Sequence, residues 1–216
     1  MRATGRGAHM AGRIVILNGA PRAGKSSLAA AIRTRVSGSW LIWGVDAFNA
    51  TLPPELLPGI GLRPGGERPD LEANLPELFG RYLGVLSGMA TSGLDVVADL
   101  GLHTDYATGF DPLPMLAEAL AGFAVYFIGI DCDVDTIMAR RNADTQNGLY
   151  AAGPGIPAPV ARWQQVVHDS KRYDLRLDMG KLTAEQGANH VQALLMSPPT
   201  TTVLGRSSID ARSRQS

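Results

Sequence analysis

The sequence reads Arg13-Ile14-Val15-Ile16-Leu17-Asn18 and continues without a break into Gly19-Ala20-Pro21-Arg22-Ala23-Gly24-Lys25-Ser26. The first stretch is a continuous apolar run, which is typical of a strand buried on both faces of a parallel sheet. The second stretch matches the pattern G-x-x-x-x-G-K-[ST] in full, and good helix formers follow it as far as Val36. A strand, a glycine-rich turn and a helix in this order predict a phosphate-binding P-loop.

The residue types in this motif suit a nucleoside triphosphate. Glycines let backbone N–H groups turn toward phosphate oxygens at the start of a helix. Lys25 brings a positive charge to the β- and γ-phosphates, and the Ser26 hydroxyl is a magnesium ligand. No guanine-reading N-K-x-D follows, which leaves small kinases and nucleotide-dependent switches. The expected cofactors are ATP and Mg²⁺, and the choice between ATP and GTP is left open. The predicted nucleotide-binding residues of this motif are Gly19, Ala20, Pro21, Arg22, Ala23, Gly24, Lys25, Ser26 and Ser27.

Composition narrows the class of protein. The chain has 216 residues, 45% of them hydrophobic and 19% charged, which is enough for one domain with a buried core. Twenty Lys and Arg balance twenty Asp and Glu, so the basic surface of a general nucleic-acid binder is missing. The longest apolar runs have the length of a strand, which argues against a membrane-spanning helix. The one cysteine, Cys132, excludes an intramolecular disulfide and favours a reducing, cytoplasmic setting.

We divide the chain into three parts. Residues 1–12 lack the apolar region of a secretory signal and are interpreted as a flexible extension or an expression tag. Residues 13–196 form the predicted P-loop domain. Residues 197–216 are rich in Ser, Thr, Arg and Pro and contain little to bury, so we predict a disordered tail.

Strand-like and helix-like segments alternate through the domain. The predicted strands are 13–18, 41–45, 94–99, 125–130 and 174–178, and the predicted helices are 25–36, 71–91, 112–120, 133–141 and 183–195. Two loops rich in Pro and Gly cover residues 53–69 and 142–160. This alternation predicts an α/β fold with a parallel sheet, flanked by helices through right-handed crossovers.

Acidic residues follow two of the predicted strands. Asp46 comes one residue after the strand 41–45, and Asp99 ends the strand 94–99. Functional groups gather at the carboxyl ends of parallel strands, so both carboxylates are expected beside the P-loop. Asp46 is the candidate catalytic base for an acceptor hydroxyl, and an N-cap of the next helix is its alternative. Asp99, with Lys25, is a candidate catalytic residue, and it is expected to support Mg²⁺ together with Ser26.

Further polar and aromatic residues extend the candidate site. Phe48, which follows Asp46, is a candidate for contact with the acceptor. His103 and Asp105, which follow Asp99 closely, are candidates for contact with the acceptor or the metal ion. A surface loop position is the alternative for His103. Cys132 follows a strand beside acidic residues, and we expect its thiol to be packed and inert.

Two arginines precede the second glycine-rich loop. Arg140 and Arg141 end a predicted helix just before residues 142–160, which is typical of a mobile lid whose arginines contact a triphosphate. We therefore predict that both bind the nucleotide. Two solvated cations, favoured by the dipole at a helix C-terminus, are the alternative.

Taken together, these residues resemble the chloramphenicol phosphotransferase-like family of P-loop kinases. The resemblance is carried by the strand and P-loop at 14–26, Trp40-Leu41 with Gly44-Val45-Asp46, the strand ending in Asp99, the pair Cys132-Asp133 with Arg140, and Val166-Val167-His168 with Tyr173-Asp174 and Asp178. It implies a five-stranded sheet in the order 2-3-1-4-5. It also implies that Asp46 is the base that activates a substrate hydroxyl for phosphorylation by ATP.

The chain departs from the family in two places. The family's lid carries a second arginine about four residues beyond the first, where this chain has Asp144. The lid is also longer, because Gly148 to Pro159 is inserted before Arg162. Nucleotide use and hydroxyl phosphorylation therefore carry over better than chloramphenicol itself, and a different antibiotic or a nucleoside-like natural product is left open as the acceptor.

The sequence leaves three functions open. The first is a kinase that phosphorylates an antibiotic for resistance or self-protection, and the second is a metabolic kinase of the shikimate or gluconate type. The third is a nucleotide-dependent protein that binds an antibiotic without transferring phosphate. Asp46 favours a kinase, since a sequestering protein needs no base. The expected partners are ATP and a small-molecule acceptor, without nucleic acid or membrane, and homo-oligomerisation is left open.

Overall fold

The structure is a computed structural model that describes residues 11–144 and 153–205. The strands are β1 Ile14–Asn18, β2 Trp40–Ile42, β3 Asp95–Leu100, β4 Val125–Asp131 and β5 Leu175–Asp178. The helices are α1 Lys25–Arg35, α2 Val45–Asn49, α3 Pro69–Glu72, α4 Leu75–Thr91, α5 Pro112–Ala119, α6 Val134–Ala143, α7 Ala158–Val166 and α8 Ala184–Met196, with short 3₁₀ helices at Pro54–Leu56 and Gly59–Gly61. No helix in the described ranges combines the length and apolar character needed to cross a bilayer.

The five strands form one parallel sheet in the order β2-β3-β1-β4-β5. Strand β1 lies at the centre, and all five of its residues are buried. Its last residue, Asn18, is level with Leu100 of β3 and Gly129 of β4. The predicted fold class and strand order are therefore confirmed. The carboxyl ends of these strands meet at the same edge, where the P-loop begins.

Alternate residues of β1 face two separate halves of the core. Val15 and Leu17 pack with residues of α1 and α8, whereas Ile14 and Ile16 pack with residues of α4 and α5. Helices therefore cover both faces of the sheet, as the continuous apolar run predicts. This arrangement leaves the edge at the carboxyl ends of the strands as the open part of the domain.

Several elements differ from the sequence-based prediction. Strand β2 ends at Ile42, and α2 begins at Val45, where residues to 45 were expected to be strand. The predicted helix 71–91 is divided into α3 and α4, since Pro76 lies in the first turn of a new helix, where a missing N–H costs little. Helix α7 covers residues 158–166, although the loop was expected to extend to residue 160.

The predicted boundaries of the domain are tested only in part. Residues 1–10, the centre of the predicted lid at 145–152 and residues 206–216 lie outside the described residues. Within the predicted disordered tail, Leu204 is buried and the Val203 N–H donates a hydrogen bond to the Asp174 carboxylate at 2.8 Å. The prediction of a tail without packing is therefore wrong for residues 203–204, because Leu204 supplies apolar surface to the core.

A buried amide connects the end of β1 to its surroundings. The side chain of Asn18 is fully buried, and its carbonyl oxygen accepts a hydrogen bond from the Leu102 N–H at 2.6 Å. Its amide group donates to the Val167 carbonyl oxygen at 2.9 Å and to the Tyr173 hydroxyl at 2.8 Å. One side chain therefore joins β1 to the segments that follow β3 and α7.

Replacing this amide should destabilise the fold. In Asn18→Ala the buried Leu102 N–H and Val167 carbonyl lose their partner, so we expect the free energy of unfolding to fall by about 2–4 kcal/mol. Urea unfolding measures the change. Asn189→Ala, on the exposed face of α8, is the matched control and should be neutral or slightly stabilising. Equal stability of the two variants would contradict the role given to Asn18.

Candidate active site

The P-loop follows β1 directly and ends in the first turn of α1. Two of its residues have left-handed backbone conformations, Arg22 with φ 67° and Gly24 with φ 108°. Gly19 allows close packing, since a Cβ there would lie 2.6 Å from the Ile130 carbonyl oxygen. The Lys25 ammonium group donates to the Ala20 carbonyl oxygen at 3.0 Å. The lysine is therefore held across the mouth of the loop, as a phosphate-binding lysine should be.

Two oxygen-bearing side chains lie beside this lysine. The Ser26 hydroxyl donates to Asp99 Oδ2 at 2.6 Å, and Lys25 Nζ lies 3.6 Å from Asp99 Oδ1. Hydroxyl and carboxylate oxygens are the ligands that Mg²⁺ prefers, and this pair lies where a triphosphate would supply more oxygens. The described ranges contain no group of three or more His, Cys, Asp or Glu side chains that could hold a metal ion without a nucleotide. The residues present therefore fit Mg²⁺ that is shared with a nucleotide.

Asp46 lies at the second position of α2, with an exposed side chain. The N-cap of this helix is Gly44, and no side chain makes a capping hydrogen bond there. Gly44 also brings α2 against the end of β3, since a Cβ there would lie 2.9 Å from Asp99 Cβ. The alternative of Asp46 as an N-cap is therefore wrong, and its carboxylate is available for another role.

A cavity of about 580 Å³ lies between the P-loop and the loop at residues 57–68. Its polar residues include Lys25, Ser26, Asp46, Asn49, Arg63, Glu67, Arg68, Asp99 and Arg141. Its apolar residues are Val45, Pro58, Ile60, Leu62, Ile137, Pro157, Pro159, Val160 and Trp163, together with Ala20, Pro21 and Leu100 of the strand ends and P-loop. A volume of this size is typical of sites for drug-sized ligands. We call it the acceptor cavity.

A second cavity of about 530 Å³ lies on the other side of the P-loop. It is lined by Arg22, Gly24, Lys25, Ser26, Ser27, Arg140, Met179, Leu182, Thr183 and Ala184. These residues come from the P-loop, from α6 and from the segment between β5 and α8. We call it the nucleoside cavity.

The two predicted lid arginines point to different places. Arg140 donates to the Arg22 carbonyl oxygen at 3.1 Å and to the Met179 carbonyl oxygen at 2.7 Å. In return, the Arg22 guanidinium donates to the Arg140 carbonyl oxygen at 2.6 Å and forms an ion pair with Asp144 at 3.2 Å. Arg141 is buried and lines the acceptor cavity. Neither arginine matches the alternative of a fully solvated cation.

Arg140 also lies near the single cysteine, with its guanidinium 3.5 Å from the Cys132 sulfur. Burial raises the pKa of the Cys132 thiol above its ordinary value. A buried thiol with a raised pKa is a poor nucleophile. This environment agrees with the packed, inert cysteine predicted from the sequence.

Three predicted acceptor contacts do not line either cavity. Phe48 is buried against Tyr82, with ring centroids 5.6 Å apart, because α2 turns its aromatic side chain toward the core. His103 is fully buried, and burial lowers its pKa. Asp105 forms two hydrogen bonds with Arg162, which lower the pKa of its carboxyl group. None of these three side chains lines either cavity, so their contact with the acceptor stays a prediction without support from the cavity linings.

The apolar wall of the acceptor cavity was missed by the sequence analysis. Ile60 lies in the 3₁₀ helix Gly59–Gly61 and Leu62 follows it, and this segment is too short to give a spacing pattern that points to them. Val160 and Trp163 are three residues apart on α7, which is the spacing of one helical face. That pattern could have revealed the helix, but the glycine- and proline-rich residues before it favoured a longer loop.

The fold and the P-loop together define the class of P-loop kinases. The APS kinase CysC of Mycobacterium tuberculosis, solved in complex with AMPPNP and APS, is similar with a TM-score of 0.57 and 20% identity over 86% of this chain and 98% of that one. Shikimate kinase of Acinetobacter baumannii, solved with shikimate, has a TM-score of 0.55 and 12% identity over 89% of this chain and 97% of that one. At these identities the likeness shows the fold.

Within this class, the chain belongs to the chloramphenicol phosphotransferase-like family. The profile of the family described as "Chloramphenicol phosphotransferase-like protein" matches residues 12–196. The chain is also 29% identical over 184 residues to the Mycobacterium tuberculosis protein named "Putative O-phosphotransferase Rv2636", covering 77% of this chain and 75% of that protein. The resemblance inferred from the sequence is therefore confirmed.

The hydrogen bonds of Arg140 should contribute measurably to stability. In Arg140→Ala the carbonyl oxygens of Arg22 and Met179 lose a charged donor, and we expect the free energy of unfolding to fall by about 1–3 kcal/mol. Arg33→Ala, which removes an exposed arginine from α1, is the control and should change stability by less than about 0.5 kcal/mol. Thermal and urea unfolding of both variants would test this, and equal effects would contradict the role given to Arg140.

Proposed function

We propose that this protein transfers the γ-phosphoryl group of ATP to a hydroxyl group of a small molecule, with Mg²⁺ as the partner ion. One observation carries the proposal. Lys25, the Ser26–Asp99 pair and Asp46 line a single cavity, and the remainder of that cavity is large enough for an organic acceptor. Phosphate-binding, metal-binding and base-like groups are therefore close together around one space.

The nucleotide fits across the P-loop, with its base in the nucleoside cavity and its γ-phosphate toward the acceptor cavity. Arg140 lies beside the nucleoside cavity, and its guanidinium is held by two backbone carbonyl oxygens. A planar guanidinium fixed in this way can stack on an aromatic base. We infer that Arg140 contacts the nucleoside, whereas the sequence favoured a contact of this arginine, as part of a lid, with the triphosphate.

Lys25 and Arg141 supply positive charge where the phosphoryl group would be transferred. Both side chains are buried and line the acceptor cavity. Positive groups held in place at low solvent exposure stabilise the charge of a transferring phosphoryl group without reorganisation. We infer that Lys25 serves the β- and γ-phosphates and that Arg141 faces the γ-phosphate from α6.

Ser26 and Asp99 would hold the metal ion. When bound, Mg²⁺ would neutralise part of the negative charge of the triphosphate. The Ser26 hydroxyl would be a direct ligand, and the Asp99 carboxylate would act through water or directly. Asp99 also remains near Lys25, so that the lysine keeps its position beside the phosphates.

Asp46 is the candidate base. The acceptor oxygen attacks the γ-phosphorus, the bond from that phosphorus to the β–γ bridging oxygen breaks, and ADP leaves. The hydroxyl proton passes to the Asp46 carboxylate, which also orients the hydroxyl before the attack. An exposed carboxylate on the cavity wall, with no capping role in its helix, is suited to this function.

The acceptor cavity favours a drug-sized alcohol over a small polyol. Apolar side chains, among them Ile60, Leu62, Val160 and Trp163, form an apolar wall, and Asn49 and charged groups also line the cavity. A ring system can pack against such a wall, whereas a sugar-like acceptor would leave its apolar side chains in contact with water. We therefore propose an antibiotic-like natural product as the acceptor and a resistance or self-protection role in the cytoplasm. Family membership and the likeness to an O-phosphotransferase support this proposal.

A coupled assay of ADP release, run across antibiotics, nucleosides and metabolic alcohols, tests the proposal. The expected result is ADP release that depends on one class of acceptor, with a product heavier by one phosphoryl group in mass spectrometry. Acceptor binding that depends on nucleotide, without ADP release, would instead identify a sequestering protein. Phosphorylation of a shikimate- or gluconate-like acceptor alone would identify a metabolic kinase.

Removing the proton acceptor should separate catalysis from folding. Asp46→Asn keeps the size of the side chain but cannot accept the proton, so turnover should fall by about 10²- to 10⁴-fold. Stability and binding of AMPPNP should stay near those of the wild type. Asp135→Asn is a matched control, because Val134-Asp135 begins α6 as Val45-Asp46 begins α2. Full turnover in Asp46→Asn would shift the role of base to Asp99.

Removing the P-loop lysine should abolish phosphoryl transfer. Lys25→Ala takes away the cation closest to the phosphates, and we expect turnover to fall by at least about 10²-fold. The thermal stabilisation that AMPPNP gives to the wild type should shrink in the variant. Far-UV circular dichroism should still show the folded domain. Turnover at the wild-type rate would contradict the assignment of the P-loop as the nucleotide site.

A further inference from the structure

A buried histidine lies behind the apolar wall of the acceptor cavity. His103 is fully buried and lines neither cavity. Its Nδ1 accepts a hydrogen bond from the Asp105 N–H at 3.2 Å. The proton of the neutral ring is therefore on Nε2, which donates to the Leu62 carbonyl oxygen at 3.0 Å. Both ring nitrogens are thus used by the backbone of two different segments.

The faces and edges of the same ring contact aromatic side chains. The His103 and Tyr106 ring centroids are 4.1 Å apart, and the Trp163 ring meets His103 edge-on, with centroids 5.0 Å apart. Leu62 and Trp163 both line the acceptor cavity, from the loop at 57–68 and from α7. One imidazole therefore holds two parts of the wall that belong to segments about a hundred residues apart in sequence.

A second set of contacts joins the same segments nearer to solvent. The Gly65 N–H donates to the Asp105 carbonyl oxygen at 2.9 Å. The Asp105 carboxylate in turn accepts a hydrogen bond from Arg162 of α7 at 2.8 Å. Gly65 and Arg162 belong to the same two segments as Leu62 and Trp163. The loop, the segment after β3 and α7 are therefore connected as one unit, with His103 at its buried centre.

We propose that His103 is a positioning residue for the acceptor. It sets the separation of Leu62 and Trp163 and thereby the width of the apolar wall, while touching neither acceptor nor nucleotide. The inference rests on the proposed function for the identity of the cavity as the acceptor site. We expect the nucleotide site to be unaffected by a change at His103, because its hydrogen bonds and ring contacts within the described residues involve Leu62, Asp105, Tyr106 and Trp163 and no residue of the P-loop or the nucleoside cavity.

Two variants separate the hydrogen bonds from the ring contacts. His103→Phe keeps an aromatic ring against Tyr106 and Trp163 but removes both hydrogen bonds. His103→Gln can place an amide N–H toward the Leu62 carbonyl oxygen, as the imidazole Nε2 does. His190→Gln, on the exposed face of α8, is the control for the change of residue type.

Hydrogen exchange of the protein with and without AMPPNP tests the inference without a known acceptor. In His103→Phe we expect exchange to rise by about tenfold in residues 57–68 and 158–166 together, with β1 and α8 unchanged. Protection of residues 19–27 by AMPPNP should match the wild type, and His103→Gln should recover most of the lost protection. No rise in one of the two segments, or an equal rise throughout the domain, would overturn the proposal.

Steady-state kinetics adds a second readout for any acceptor found by the ADP-release assay. His103→Phe should raise the KM for the acceptor by about tenfold, which corresponds to the loss of about one hydrogen bond, and leave the KM for ATP within about twofold. A change in both KM values would overturn the positioning role. If no acceptor is phosphorylated, the proposed function fails, and the exchange experiment still decides whether His103 holds the two segments together.

Discussion

The parallel pairing of β1 with β3 is the constraint on which the rest of the site depends. Because Leu17 is level with Asp99 in this pairing, the P-loop and the Asp99 carboxylate emerge side by side. The 2.6 Å hydrogen bond from Ser26 and the 3.6 Å approach of Lys25 then follow from the register. A shift by one residue would turn Asp99 to the other face of the sheet and separate these groups.

Arginine side chains beside the P-loop make hydrogen bonds to backbone carbonyl oxygens and an ion pair with a carboxylate. Arg22 and Arg140 each donate to the other's carbonyl oxygen, so the loop and α6 are held by reciprocal bonds. Asp144, which follows α6 directly, forms an ion pair with Arg22. This pair adds to the contacts that hold the P-loop beside α6. Arg141 lines the acceptor cavity, where its charge is suited to a phosphoryl group.

Two residues that the sequence suggested as acceptor contacts instead support the segments that line the cavity. His103 and Asp105 follow Asp99 in the chain, yet both connect segments whose other residues form the cavity wall. Phe48 of α2 packs against Tyr82 in the core, whereas Asp46 of the same helix lines the acceptor cavity. In short helices and loops at the edge of a sheet, residues that are neighbours in sequence can face the core and the cavity in turn. Proximity in sequence to a candidate catalytic residue therefore does not place a side chain in the lining of the cavity.

What the sequence by itself determined is the part of the molecule that depends on local pattern. The apolar run before the P-loop predicted a buried strand, and the motif G-x-x-x-x-G-K-[ST] predicted the loop and the start of α1. Both predictions succeed because strand burial and phosphate binding each require particular residue types at adjacent positions. The positions of Asp46 and Asp99 after strands pointed to the correct edge of the sheet.

Only the tertiary structure decided which side chains face the cavities. Leu62, Trp163 and Arg141 come from three separate segments, and their meeting depends on long-range packing around His103 and on the hydrogen bonds of Arg140. No spacing in the chain encodes such contacts, since each pair is brought together by elements distant in sequence. The wall of the acceptor cavity, from which we propose the class of acceptor, is therefore a property of the folded domain.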